Sequence, residues 1–243
     1  MFSLRSDDRG EGMNINCLNI SELSIDNYQL FRNEVSGARR RKADRFRFII
    51  DAYRSVCAEL LLQYSLFEVT NQYGEMTFSY NKYGKPALKN VNDFSFNLSH
   101  SGEWVVLAYG TSEVGVDIEK IRSGNERIVE GIFKEEEKEY IYSVEGMERN
   151  KRFTQIWTLK ESYIKYLGTG FSTGMNTFSV GALNNVVIDD NGELNENLFL
   201  ESILYKPDYY LAICGEEQLV TVKEVSLEEL VHMICRKNRQ LYG

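Results

Sequence analysis

Residues 94–119 read FSFNLSHSGEWVVLAYGTSEVGVDIE, three short runs of strand character divided at Gly102 and Gly110. The runs Asp93–Leu98, Trp104–Tyr109 and Val114–Glu119 are rich in β-branched and aromatic residues and are bounded by glycine, the pattern of consecutive antiparallel strands. Working back toward the N-terminus, Phe67–Asn71 and Met76–Tyr80 have the same character, with Gly74 and Gly84 as breaks. Before them, Ala38–Gln63 follows helical spacing, with Phe46, Ile49, Ile50, Tyr53, Val56, Cys57, Leu60 and Leu61 on one broad face. Asn14–Ile20 reads as a further strand. Working forward, Asn125–Ser143 is helical and acidic, and Arg149–Leu167 is a second helix closed by Gly168. Strands follow at Thr177–Leu183, Leu198–Tyr205, Tyr209–Cys214 and Leu219–Val225. Ser226 and Glu229 then form a capping box that opens a last helix to about Leu241. A long helix followed by antiparallel strands occurs twice, so the expected class is α+β: a pseudo-duplicated chain of two subdomains, each a long helix on a small antiparallel sheet. The expected division is 13–122 and 123–243, with residues 1–12, polar and charged, as a disordered leader.

The chain has 243 residues, 43% apolar, with 28 basic and 36 acidic residues for a net charge of −8. That charge disfavours generic binding to nucleic acid or an anionic membrane. No apolar run approaches the length of a membrane span, and the start carries no signal-type apolar stretch. Cys17, Cys57, Cys214 and Cys235 are scattered without a C-x-x-C, which points to reduced thiols and a cytoplasmic address. His232 and Cys235 alone are too few for zinc.

Four features carry chemistry. Six of the nine residues from Arg39 to Arg47 are basic: Arg39, Arg40, Arg41, Lys42, Arg45 and Arg47. Without them and Asp44 the rest of the chain holds 22 basic and 35 acidic residues, net −13. Such an island is either a solvated helix end or a phosphate site. In Gly115-Val116-Asp117-Ile118-Glu119, strand alternation puts two carboxylates on one face, about 7 Å apart, where they repel unless water or a cation intervenes. In Trp157-Thr158-Leu159-Lys160-Glu161-Ser162-Tyr163-Ile164-Lys165, Glu161 and Lys165 share a helix face. That pair is either a surface salt bridge or a third carboxylate and a phosphate-facing lysine, and three carboxylates suit Mg²⁺. Finally Ser99 and His100 end a strand. Adjacent strand residues point to opposite sides, which excludes a serine-hydrolase pair and leaves anion binding.

Taken together, these segments resemble the 4′-phosphopantetheinyl transferases of the large, pseudodimeric type that activates surfactin synthetase. The resemblance runs through Arg39-Arg40-Arg41-Lys42, Gly84-Lys85-Pro86, Phe96-Asn97-Leu98-Ser99-His100-Ser101, Val114 to Glu119 and Trp157 to Lys165, over about residues 14–215. The G-V-D-I-E and W-x-x-K-E-S-x-x-K pair is its most specific part. It implies the phosphopantetheinyl transferase fold, with Asp117, Glu119 and Glu161 as ligands of Mg²⁺, Mn²⁺ being a substitute. It further implies that Arg39, Lys42 and Arg54 hold the 3′-phosphate and adenine end of coenzyme A. Lys85, Pro86, Ser99, His100, Lys160 and Lys165 are its implied further contacts, and Asp117, Glu161 and Lys165 the implied catalytic residues. Arg39 stands where relatives often carry lysine.

The implied reaction moves the 4′-phosphopantetheine arm of coenzyme A to a serine of an apo acyl or peptidyl carrier protein, releasing adenosine 3′,5′-bisphosphate. The partners are then coenzyme A and the carrier, with no nucleic acid and no membrane, and the chain is expected to be a monomer. Two rivals share the residues: a Mg²⁺-dependent nuclease and a non-catalytic coenzyme-A-binding protein. The −13 remainder and the Ser99-His100 segment oppose the first, and three intact carboxylates oppose the second. Ile128, Ile132 and Phe133 form one helical face that either docks the carrier or packs into the core.

Overall fold

The structure is a computed structural model that describes residues 12–181, 186–189, 191–218 and 220–242. Eleven of the twelve leader residues lie outside the described residues. In chain order the elements are β1 (Met13–Asn19), α1 (Ile25–Glu34), α2 (Gly37–Ala43), α3 (Ile49–Thr70), β2 (Phe78–Tyr80), β3 (Pro86–Leu88), β4 (Ser95–Ser101), β5 (Trp104–Gly110) and β6 (Val114–Lys120). They continue with α4 (Glu126–Ile132), α5 (Glu135–Tyr142), α6 (Gly146–Leu167), β7 (Phe178–Val180), β8 (Val187–Asp189), β9 (Phe199–Tyr205), β10 (Tyr209–Gly215), β11 (Val220–Val225) and α7 (Leu227–Tyr242). No helix among the described residues is long and apolar enough to cross a membrane.

Two sheets lie face to face and each carries helices on its outer side. The first has the order β11-β1-β5-β4 and the second β6-β10-β9. Strand alternation builds three cores. Ile15 and Cys17 of β1, Val106 and Ala108 of β5, Val116 and Ile118 of β6, and Leu211 and Ile213 of β10 fill the space between the sheets. The opposite faces of β1 and β5, with Leu18, Val105 and Leu107, meet α3 and α7. The opposite face of β10, with Ala212 and Cys214, meets α6. Cys17, Cys57 and Cys214 are buried free thiols and Cys235 is an exposed one.

The α+β class stands, but the two halves are not separate helix-and-sheet units. β6, assigned to the first half, pairs antiparallel with β10 in the second sheet, Ile118 opposite Leu211. β11, assigned to the second half, pairs parallel with β1, so the first sheet is mixed rather than antiparallel. Val225, Leu230, Met233 and Ile234 then complete the first core. A division at residue 122 separates β6 from the sheet that holds it.

Helix boundaries differ where a side chain outbids helical spacing. The expected helix over 38–63 is two helices: Asp44, still helical in backbone and bound to Arg32 (2.7 Å), caps α2, and extended Phe48 precedes α3. α3 then continues through the expected strand at 67–71, burying Leu66 and Phe67 before Asn71 ends it with φ 53. The expected helix over 125–143 breaks at Phe133, whose extended backbone turns its ring edge-on to Phe153. Phe133 is therefore core, with Ile128 and Ile132 half-buried against the same cluster. α1 escaped the periodicity reading because only Tyr28 and Phe31 of its ten residues are buried. Gly168 ends α6 with φ 63, and Ser226 and Glu229 cap α7 as expected.

Candidate active site

The site grows from the seam where the two sheets meet edge to edge. β4 ends the first sheet and β6 ends the second. Exposed strand edges carry unpaired N–H groups; here polar side chains on one face of β4 supply the partners. Val116 N donates to Asn97 Oδ1 (3.1 Å), Ile118 N to Ser99 Oγ (3.4 Å) and Lys120 N to Ser101 Oγ (3.1 Å). The same two hydroxyls donate onward to the carboxylates of β6: Ser99 to Asp117 Oδ1 (2.7 Å) and Ser101 to Glu119 Oε2 (3.0 Å). The period-two run Asn97, Ser99, Ser101 is thus one device, of which the sequence reading picked out only Ser99.

α6 lies directly on β6 because Gly115 has no side chain. A Cβ there would stand 2.1 Å from Ser162 O and 2.3 Å from Tyr166 N. This contact brings Glu161 and Lys165 over the face that carries Asp117 and Glu119. Lys165 Nζ donates to Asp117 Oδ1 (2.6 Å) and to Ser99 Oγ (2.9 Å). Asp117 is only 4% exposed, yet its second oxygen, Oδ2, is buried without a hydrogen-bond partner.

Burial and neighbouring negative charge raise the proton affinity of Glu161 and Glu119. Burial, then the charge of Asp117, pushes the Glu161 carboxyl up to about 7, although Lys165 opposes the shift. Burial and Asp117 also raise Glu119. Arg122, laid over the Trp157 ring 5.6 Å from its centre, stands 4.0 Å from Glu119 as a further counter-charge. Glu161, Lys165, Gly84, Lys85, Pro86 and Asn97 line a cleft of about 320 Å³, with Met175 on its wall. Among the described residues no three Asp, Glu, His or Cys side chains are gathered into a metal-ligating cluster. The donor set is nevertheless all hard oxygen, and Asp117 Oδ2 is a buried acceptor with no donor.

The remaining expected residues sort differently. Ser99 faces the carboxylates, while the next residue, His100, faces the other way, where partial desolvation, then the positive charges of Arg54 and Lys165, lowers its proton affinity. Arg54 donates through Nε to Gly102 O (2.9 Å), tying α3 to the turn after His100. Arg39 is held by Glu59 (3.0 Å), and Lys42 lies exposed on α2, in a shallow cleft of about 330 Å³ with Arg41, Arg45 and Phe46. That cleft shares no residue with the one around Glu161.

Two lysines do not fit the expectation. Lys160 is 0% exposed, and its Nζ is spent on Glu137 (2.8 Å), Met175 O and Phe178 O, so it cannot touch coenzyme A. Helical geometry puts residues 160 and 161 about 100° apart, so the lysine beside an inward-facing Glu161 turns into the core. Lys85 Nζ is likewise occupied by Glu113, Val114 O and Tyr166 O, and it clamps the end of α6. Only the Gly84–Pro86 stretch itself lines the cleft.

Comparison of the sequence with known proteins places the chain in a family. The 4′-phosphopantetheinyl transferase superfamily matches residues 113–214, and the N-terminal region of 4′-phosphopantetheinyl transferases matches residues 24–112. The two matches abut just before β6, where the second sheet begins. The 4′-phosphopantetheinyl transferase psf-1 of Bacillus pumilus is 30% identical over 212 residues, 84% of this chain and 88% of that protein. The Sfp transferase of Bacillus subtilis is 28% identical over 86% of this chain and 95% of its own, and the gsp transferase of Aneurinibacillus migulanus is 38% identical over 62% and 63%. By these sequence matches the chain belongs to the 4′-phosphopantetheinyl transferases.

Proposed function

We propose that the protein moves the 4′-phosphopantetheine arm of coenzyme A to a carrier-protein serine in the cleft that Glu161 and Lys165 of α6 form with the Tyr83–Pro86 turn. The transferase activity follows from family membership; the assignment of roles to residues is our reading. The observation that carries it is Lys165 Nζ, held 2.6 Å from Asp117 and 2.9 Å from Ser99 at the mouth of a cleft rimmed by Glu161.

The reaction breaks a phosphorus–oxygen bond of the pyrophosphate as the serine oxygen bonds the same phosphorus. Adenosine 3′,5′-bisphosphate departs and the serine proton must be taken up. The demand is positioning and neutralisation of charge on the phosphoryl oxygens. Lys165, oriented by two acceptors and still 26% exposed at its side chain, presents its remaining donor to that charge. Glu161, which lines the cleft, is the side chain we assign to take up the serine proton, directly or through a water. Asp117, Glu119 and Glu161 would hold Mg²⁺, Mn²⁺ serving in its place, since the donors are hard oxygens and Asp117 Oδ2 has no other partner. When bound, the cation supplies Lewis-acid stabilisation of the pyrophosphate.

Arg39, Lys42 and Arg54 would receive the 3′-phosphate end of coenzyme A, and Gly84–Pro86 would flank it through the main chain. No observation favours the nuclease or the binding-only reading. The test is incubation with apo-carrier and coenzyme A, with the carrier's mass read before and after. A phosphopantetheine mass gain is expected with the unmodified enzyme and none with folded Asp117→Ala; a normal gain with that variant overturns the assignment of the site.

A further inference from the structure

Glu59 is a carboxylate in the wrong place for a structural residue. It lies in the middle of α3 beside Leu60, Leu61 and Leu62 and is 2% exposed. A buried carboxylate is costly unless its oxygens are filled. Here every donor comes from the start of α2: Ser36 N reaches Oε1 (2.6 Å), while Ser36 Oγ (3.1 Å) and Arg39 Nε (3.0 Å) reach Oε2. Arg39 Nη1 donates further to Ser55 Oγ (3.4 Å), one turn earlier on α3. The guanidinium is fixed at two of its three nitrogens, and Nη2 has no intramolecular partner among the described residues. Arg41 and Lys42, by contrast, are exposed on the same short helix and make no ion pair among the described residues.

An arginine fixed through Nε and Nη1 presents its other donors in a set direction, which matches a phosphate better than a freely rotating cation does. We propose that Glu59 is a positioning residue for the nucleotide phosphate, holding the Arg39 guanidinium so that its outer edge meets the 3′-phosphate of coenzyme A. This rests on the reading of Arg39 given under Proposed function. Glu59 touches no substrate itself. It sets how strongly the enzyme distinguishes coenzyme A from the same molecule without its 3′-phosphate.

The experiment measures Kd for coenzyme A and for 3′-dephospho-coenzyme A, without carrier, in the unmodified enzyme, Glu59→Gln, Arg39→Ala and the double variant. Arg39→Ala is expected to remove about tenfold of the preference for coenzyme A, the scale of one charge-assisted bond. Glu59→Gln is expected to remove most of the same share, leave the dephospho form's Kd unchanged, and add nothing in the Arg39→Ala background. Glu59→Asp, which keeps the charge and shortens the reach, serves if Glu59→Gln fails to fold, and is expected to lose part of the preference. If the Glu59 variants weaken both ligands equally, or leave the preference intact while Arg39→Ala abolishes it, Glu59 is only a tie between helices and the proposal is overturned. If Arg39→Ala leaves the preference intact, the reading of Arg39 fails, and this proposal with it.

Discussion

Five residues apart on α6, two lysines each meet a carboxylate, and they do opposite work. Lys160 and Glu137 are 2.8 Å apart with side chains 0% and 1% exposed. Lys165 and Asp117 are 2.6 Å apart with side chains 26% and 5% exposed. In the first pair every oxygen is filled: Glu137 Oε1 also accepts from Val180 N, and Oε2 accepts from Lys134 N. In the second, Asp117 Oδ2 accepts nothing and the ammonium still reaches solvent. The closed pair fastens α5 and the 175–180 segment to α6. The open one keeps capacity for a ligand. Distance alone does not separate a structural ion pair from a functional one; completeness of hydrogen bonding does.

The comparison breaks first at the closed pair. Lys160→Met should leave Glu137 buried and unpaired, at a cost of about 3–5 kcal/mol in unfolding free energy, the scale for removing one partner of a buried pair. Denaturant titration measures it. Adding Glu137→Leu should recover part of the loss but not all, because Val180 N and Lys134 N then lack their acceptor. A loss below about 1 kcal/mol for Lys160→Met, the level of an exposed pair, would mean the burial is not real in solution.

At the open pair the effects should reverse. Lys165→Met is expected to lower kcat/KM for carrier modification by roughly 10²–10³, the scale of one preorganised donor to transition-state charge, with a stability loss smaller than that of Lys160→Met because the Lys165 ammonium reaches solvent and Asp117 keeps the Ser99 hydroxyl. Activity and melting temperature measured on the same two variants therefore cross over: Lys160→Met loses mainly stability, Lys165→Met mainly rate. Equal loss of rate without loss of stability at both positions would erase the distinction.

What the sequence could and could not reveal follows the same line. The face shared by Asp117 and Glu119, and the turn from Glu161 to Lys165, follow from period and spacing, and in the structure Lys165 meets Asp117 while Glu161 and Lys165 line the cleft. Lys160 was misjudged because its neighbour Glu161 is functional and nothing local shows that Glu137 waits in the core. The ties that hold Lys85 are likewise non-local, since its three acceptors lie 28 to 81 residues away. The exchange of β6 and β11 between halves is non-local in the same way. Asn97 and Ser101 were within reach of sequence reading, since both share the period of Ser99.

A smaller effect sharpens the seam that orients the open pair. Ser99→Ala removes the donor to Asp117 Oδ1 and the acceptor for both Lys165 Nζ and Ile118 N. A cost of about 1–3 kcal/mol is expected, shared between stability and rate, because the hydroxyl serves both the β4–β6 contact and Lys165. Ser101→Ala, whose hydroxyl bonds Glu119 and Lys120 N but not Lys165, should show the stability share with less of the rate share. Rates that fall equally in both variants would detach the orientation of Lys165 from Ser99.

The smallest expected effect is in the pH dependence of the protein without metal. The Glu161 carboxyl is raised from 4.5 to about 7, first by burial and then by Asp117. Between those two values the folded protein keeps a proton that the unfolded chain has released. Fewer protons are bound on unfolding, so stability falls as pH rises through this window. The contribution is present below about 4.5 and is lost as pH approaches 7, the reverse of an ordinary salt-bridged carboxylate. With a chelator present, Glu161→Gln should flatten the slope of unfolding free energy against pH between about 5 and 7, by on the order of 1 kcal/mol after allowance for partial solvent access. An unchanged slope in Glu161→Gln would show that the three carboxylates are solvated apart in solution, and would remove the electrostatic reason for treating them as one site.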